Sequence, residues 1–310
     1  MNAPLYADPG LRAPEPEAIA SVPGWSLRIW SLLRRSPSAS AGAPLVVGFT
    51  LTGLAGIVLL HVPSLRHLWT DQDLYSVLKP PGTAGHLLGT DQLGRDILAR
   101  VVAGTGLSFE LGLAVTAATL IAGGTVGIVA GYFGGIVDRL IGAVIDVTWG
   151  FPLILLAVML AGILHPGFAS ILIAVAALNW AGFARIIRGY ALSLREQEFV
   201  DAARALGIPV WRILARHFVP NVVAPILVMG SYYVGVTIIV EAGVSFLGLG
   251  IQPPTPSLGQ MISDGRNVMS FTIWPALIPG IAIATAVTGF SLLGDGLRDT
   301  LDPKLERAQR

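Results

Sequence analysis

The chain of 310 residues contains no cysteine. That excludes disulfides, thiolate nucleophiles and cysteine-ligated metal. Charge is also scarce: Asp, Glu, Lys and Arg make up 13% of the residues, against about 25% in soluble domains. The net charge is only +1, and no basic stripe with interleaved aromatics is present, so nucleic acid is not expected as a partner. The histidines are His61, His67, His86, His165 and His217. They lack the H-E-x-x-H type of spacing, and none is read as a metal ligand. There is no P-loop run of G-x-x-x-x-G-K followed by Ser or Thr, so ATP hydrolysis is not expected on this chain. No nucleophile with an adjacent base and no pair of mid-span carboxylates supports an intramembrane hydrolase. No catalytic residue and no metal site are assigned.

What the chain does have is apolar length. Hydrophobic residues make up 53% and the mean hydropathy is +0.70. A bilayer core needs about 20 apolar residues per helix. Six segments qualify, near 44–61, 108–131, 140–164, 168–187, 221–241 and 273–293. The fold class read from this is an all-α membrane protein with six transmembrane helices. Residues 1–24 are rich in Ala, Pro and Gly and are expected to be disordered. They hold no apolar run of leader length, so the run starting near Pro44 is read as a retained span. The resulting division is a tail at 1–42, a first span with its following segment at 43–107, a core at 108–293 with a long internal loop at 188–220, and a tail at 294–310.

Basic residues orient the spans. Fifteen of the 20 Lys and Arg fall on the side of the two tails and the long internal loop. That side is therefore cytoplasmic, with both termini on it. Loops near 62–107 and 242–272 face outward. The Pro-rich IQPPTPS (251–257) reads as a stiff outer loop and LGTDQLGRD (88–96) as a structured one.

The cytoplasmic loop carries EFVDAARALGIPVWRILARHFVPN (198–221), an amphipathic stretch between two apolar ones. Ser193 and Glu196 fit an S-x-x-E capping box. Phe199, Ala202, Ala203 and Leu206 then fall at i, i+3, i+4 and i+7, one helical face. Glu198, Asp201 and Arg204 lie off it. Gly207 suits a C′ glycine and Pro209 the first turn of a second helix ending at Pro220. The pattern alone leaves two readings open: a helix lying on the membrane surface, or one docking to a soluble partner.

Inside the spans, Asp146 is a functional candidate because an intramembrane carboxylate is costly. It is equally a packing contact to a neighbouring helix. Arg139, seven residues back and roughly 10 Å along the axis, is within stretching reach of it. Glu110 and Glu241 fall near span ends, where a carboxylate reaches water. Pro152 and Pro279 are read as packing kinks.

Several motifs point to one family. DAARALG (201–207), followed by Pro220 thirteen residues after its glycine, resembles the EAA loop of ATP-binding-cassette importer permeases. Asp201 stands where that motif has Glu, and His217 occupies its first hydrophobic place. HLLGTDQLGRDILARVVAG (86–104), GYFGGIVDRL (131–140), VIDVTWGFP (144–152), EAGVSFLGLGIQPPTPSLGQMI (241–262) and LLGDGLRDTLDPKL (292–305) resemble the dipeptide, oligopeptide and nickel branch of the C-subunit type. The resemblance spans about residues 25–305. Gly106 and Leu258 depart from it, where the family often has Arg and Trp. Both are expected to bear on substrate or binding-protein contacts.

The resemblance implies a type I importer permease (MetI-like) fold in a bacterial inner membrane. It implies a second homologous permease, two ATPase subunits that bind ATP and Mg, and an extracytoplasmic substrate-binding protein. The membrane lipid surrounds the whole, and the chain itself holds no cofactor. The implied cargo is a di- or oligopeptide, with nickel or a metal chelate as the alternative. Glu198, Asp201, Ala202, Ala203 and Gly207 would then couple the permease to an ATPase, by insertion of a short helix into a groove. An ion-driven secondary transporter is the rival class; it needs titratable groups or broken helices at the midplane, for which Asp146 is a thin basis.

Overall fold

The computed structural model describes residues 36–301. Of the tail expected at 1–42, residues 1–35, with the stretch expected to be disordered at 1–24, lie outside the described residues, while 37–42 are already helical; residues 302–310 of the C-terminal tail also lie outside them. Among the described residues, regular structure is helical, apart from isolated bridges at Thr83–His86 and Thr90–Asp96. Five helices are long and apolar enough to cross a membrane: α1 (Pro37–His61), α3 (Ile97–Phe133), α6 (Phe168–Arg195), α9 (Val219–Phe246) and α11 (Trp274–Leu301). The short helix α2 (His67–Thr70) lies between α1 and α3.

The remaining expected span, near 140–164, is not a kinked rod. It is two helices, α4 (Gly135–Trp149) and α5 (Leu153–Ile163), bent by 88°. The cause is local. Gly150 N–H closes α4 on the carbonyls of Asp146 and Val147, and Pro152 stands extended at ψ 119° as the cap of α5. Pro152 has no N–H to continue the ladder. By contrast α11 runs unbroken through Pro279 and α9 through Pro225. Two free carbonyls are a tolerable loss inside a packed bundle.

The loops divide between two ends of the bundle. One end holds the 62–96 segment and α10 (Leu258–Arg266); the other holds α7 (Glu198–Ala205) and α8 (Val210–Ile213). These are called the α10 end and the α7 end. At the α10 end, the 88–96 segment is the structured loop expected. Asp91 accepts hydrogen bonds from the backbone of Leu93 and Arg95 and from Arg95 Nε at 2.7 Å. Asp96 caps α3 by accepting from Ala99 N at 2.8 Å.

In lipid, apolar side chains gain little by leaving the membrane for a helix interface, so close backbone approach matters more. The most extensive helix pair, α3 with α6, shows this. Gly123, Gly127 and Gly131 form a stripe at four-residue spacing. A Cβ on them would sit 2.6 Å from Trp180 O, 2.7 Å from Ala184 O and 2.4 Å from Ala191 Cβ, respectively. The α1–α3 crossing works the same way. A Cβ on Gly106 would lie 2.4 Å from Gly56 C, and one on Gly56 2.0 Å from Val102 O. The glycine at 106 is thus a packing residue, not a substrate contact. Leu258 is also buried, against Gly104 and Ile97. The two departures from the family pattern belong to helix packing, contrary to expectation.

Glu241 corrects another expectation. It does not reach water: it is 0% exposed, and it accepts hydrogen bonds from Ser245 at 2.8 Å, Ser257 at 2.9 Å and Ser108 at 3.2 Å. Three hydroxyl donors compensate much of the cost of burying the carboxyl. They also tie α9, α3 and the start of α10 to one atom pair. Glu110 lies nearer to expectation, partly exposed and 4.0 Å from His61.

Candidate functional site

The loop at the α7 end builds a rigid hairpin of two short helices. Glu198 and Asp201 lie in the first turn of α7, where acidic side chains offset the helix dipole. The Ser193–Glu196 capping box does not form: α6 continues to Arg195, Ser193 Oγ donates to Tyr190 O, and Gln197 is the cap. The C-terminus of α7 is as read from sequence. Gly207 adopts φ +70°, its N–H meets Arg204 O, and Ile208 N–H meets Ala203 O at 3.1 Å. That is the two-bond closure that a left-handed C′ residue permits. Pro209 caps α8, which passes through a π turn (Leu214–Phe218) directly into α9.

The face is not the one expected. Val200 and Ala203 are buried, together with Ile213 and Phe218, against Ile128, Tyr132, Phe183 and Ile187 of α3 and α6. Ala203 therefore looks into the protein's own body. Phe199, Ala202 and Leu206 look away, joined by Trp211; Leu206 is 78% exposed and Trp211 66%. A window of eight residues holds both faces, and period 3.6 does not say which is outward. His217, unusual for the motif, stands 5.5 Å from the Phe199 ring. Asp201 pairs with Arg204 at 3.3 Å on the exposed side, and Arg204 lies over the Tyr132 ring at 5.0 Å. An apolar patch rimmed by charge on a rigid base is the usual form of a protein-docking surface.

The second constellation lies between α4 and α6. Asp146 Oδ1 accepts from Arg185 Nη2 at 2.6 Å; its partner is not Arg139. Arg185 also lies over the Trp149 ring at 4.8 Å. Asp138, two turns earlier on α4, holds Arg188 in a two-pronged bond, Nη2 to Oδ2 at 2.8 Å and Nε to Oδ1. The sequence reading missed Asp138–Arg188. Its signal was present: two acids eight apart on α4 facing two arginines three apart on α6. Arg139 is exposed, off this ladder.

The Asp146–Arg185 pair stays open, with side chains 72% and 43% exposed. Around it Val144, Val147, Trp149, Phe151 and Leu155 are exposed too. Charged groups of this kind avoid acyl chains and face protein or water-filled space. The pairing predicts that Asp146→Asn and Arg185→Gln together cost less than the sum of their separate losses, by about 0.5–1 kcal/mol as for open ion pairs. Asp146→Asn with Arg139→Gln is expected to add. Thermal unfolding of the purified single and double variants checks both; additive losses at 146 and 185 would remove the pair's energetic role.

Residues 123–307 match the family described as the binding-protein-dependent transport system inner membrane component. The dipeptide transport system permease protein DppC of Alkalihalophilus pseudofirmus is 38% identical over 302 residues, 97% of each chain. The oligopeptide transport system permease protein OppC of Bacillus subtilis is 35% identical, covering 91% of this chain and 92% of that one. The glutathione transport system permease protein GsiD of Pectobacterium atrosepticum is 42% identical over 75% of this chain and 77% of that one. Broken elbow, close-packed glycine helices, outward-facing EAA hairpin and full-length similarity agree: the chain belongs to the binding-protein-dependent permeases of ATP-binding-cassette importers, in the C-subunit branch.

Proposed function

We propose that this permease carries di- or oligopeptides across the inner membrane, driven by ATP hydrolysed on separate ATPase subunits into which α7 docks. The relatives named for dipeptide and oligopeptide transport support the cargo class. The observation that carries the coupling role is the hairpin: Phe199, Ala202, Leu206 and Trp211 face outward from a base held by Val200 and Ala203. That base rests on α3 and α6, which the glycine stripe locks together. Arg185 and Arg188 tie α4 to α6 in turn. A push on α7 is therefore delivered to α3, α4 and α6 as one body. ATPase closure would reorient these helices against a second, homologous permease whose wall meets the exposed Asp146–Arg185 face. A binding protein would deliver the peptide at the α10 end.

Proteoliposomes holding the assembled transporter and its binding protein test this. A labelled dipeptide is expected to accumulate only with ATP on the α7 side. Uptake driven by an ion gradient without ATP would move the chain to the secondary transporters.

The basic-residue asymmetry supports a cytoplasmic α7 end and cytoplasmic termini. Since the chain has no native cysteine, single cysteines report cleanly. At exposed Gln252, labelling by an impermeant maleimide is expected in intact spheroplasts; at exposed Gln197 it is expected only after permeabilisation. The opposite pattern inverts the orientation.

A further inference from the structure

At the α10 end, α1, α2, α3 and the start of α6 enclose an open cleft of about 410 Å³. Its polar members are His61, Arg66, Glu110 and Thr255; Trp69, Leu107 and Phe168 form apolar walls. Arg66 has no carboxylate partner among the described residues; it lies 5.8 Å over the Trp69 ring. Trp69 is itself fixed, donating from Nε1 to Leu59 O at 3.1 Å. His61 Nδ1 lies 3.0 Å from Ile57 O. A carbonyl can only accept, so Nδ1 carries the hydrogen, and a neutral ring then presents the Nε2 lone pair toward Glu110, 4.0 Å away. Two acceptors face each other there, and a donor with several hydrogens would satisfy both. The cleft thus offers a cation for an anion beside two acceptors for an ammonium.

Beneath it runs an apolar track. Val47, Leu51, Leu54 and Val58 are exposed on α1, and His61 continues their stripe by one more turn. Glu110 similarly heads a stripe on α3 of Leu113, Ala117 and Ile121, all exposed. The two helices pack together at Gly56 and Gly106. Each stripe descends about 15–20 Å from its polar head at 1.5 Å per residue, close to half the hydrocarbon thickness.

We propose that this cleft is a binding site for phosphatidylethanolamine, with the phosphate at Arg66, the ammonium between His61 and Glu110, and an acyl chain along the α1–α3 track. The inference rests on the membrane placement of the helices, not on the peptide cargo. A peptide zwitterion carries the same two charges, but it has no use for a track of this length. Phosphatidylglycerol lacks the ammonium and leaves Glu110 facing a phosphate. The quaternary group of phosphatidylcholine donates no hydrogen bond.

The test is native mass spectrometry of the full chain, purified with its associated subunits and titrated with dioleoyl phosphatidylethanolamine, phosphatidylglycerol or phosphatidylcholine. Retention of one phosphatidylethanolamine per chain, in preference to the other two, is expected. Arg66→Gln should cut that retention about tenfold, the order of one charge-assisted hydrogen bond, and Arg66→Lys should restore part of it. Glu110→Gln should bring the ethanolamine and glycerol lipids to near-equal retention. Arg66 is exposed and Glu110→Gln keeps its shape, so both variants should fold. Equal lipid retention by the unaltered chain overturns the proposal. So does insensitivity to both substitutions, or displacement of the lipid by excess dialanine. A photo-crosslinker at Val58 that captures a protein subunit, not lipid, overturns it as well.

Discussion

Leu206→Glu is expected to reduce ATP-dependent peptide uptake by about two orders of magnitude while the permease still folds. The side chain is 78% exposed, so the free chain loses little. In an apolar groove, however, an unpaired carboxylate costs several kcal/mol, and each 1.4 kcal/mol of lost association is about tenfold. Ala202→Trp is expected to act similarly by bulk, because Ala202 also faces outward. Ala203→Trp differs. It drives an indole into the cluster of Tyr132, Ile187 and Phe218 and should destabilise the hairpin itself. Co-purification of ATPase subunits, paired with thermal unfolding of the permease, separates the cases. Normal ATPase association by Leu206→Glu would leave α7 as an interfacial helix.

Gly127→Leu is expected to cost more than 3 kcal/mol of stability, beyond the ordinary range for an overpacked site. Its Cβ alone would meet Ala184 O at 2.7 Å and Ile187 Cβ at 2.9 Å. Two of the three nearest atoms are backbone, so no side-chain rotation relieves the clash. Gly189→Ala on the facing helix α6 is the control, since nothing lies within 4 Å of its Cβ position; it should leave stability unchanged or raise it. Detergent-solubilised protein followed by thermal unfolding reads both. Equal midpoints for the two variants would mean that α3 and α6 are free to part.

The sequence and the structure agree most where the signal was length or backbone chemistry. Helix existence followed from apolar runs, and Gly207 from the need for positive φ. They part where the question was which way a side chain faces. A lipid-facing residue and a protein-facing residue are both apolar in a membrane helix, so periodicity does not separate them. Periodicity likewise groups Ala203 with Ala202, whereas Gly106 and Leu258 are read as outer contacts because they stand where the family often has Arg and Trp. Polar residues failed for a different reason. Asp146 was compared with Arg139 on its own helix, whereas its partner Arg185 is 39 residues away on α6. The three serines around Glu241 are likewise drawn from α3, α9 and the cap of α10. Long-range partners of this kind carry no local spacing. The family motifs did locate the hairpin of two short helices, but not its exposed side.

One consequence concerns the length of α3. Its 37 residues make a rod of about 55 Å, against a hydrocarbon core of about 30 Å. No proline interrupts it. Its last turns, from Gly123 to Gly131, are clamped to α6 above the α7 hairpin, and Tyr132 touches that hairpin through Phe218 and Arg204. Its first turns reach Leu258 of α10 through Gly104. Pivoted at its middle, such a rod converts a tilt of about 10° at one end into a displacement of about 5 Å at the other. The helix has the shape of a lever across the bilayer: under the proposed function, a nudge at the α7 end would arrive, reversed in direction, at the α10 end.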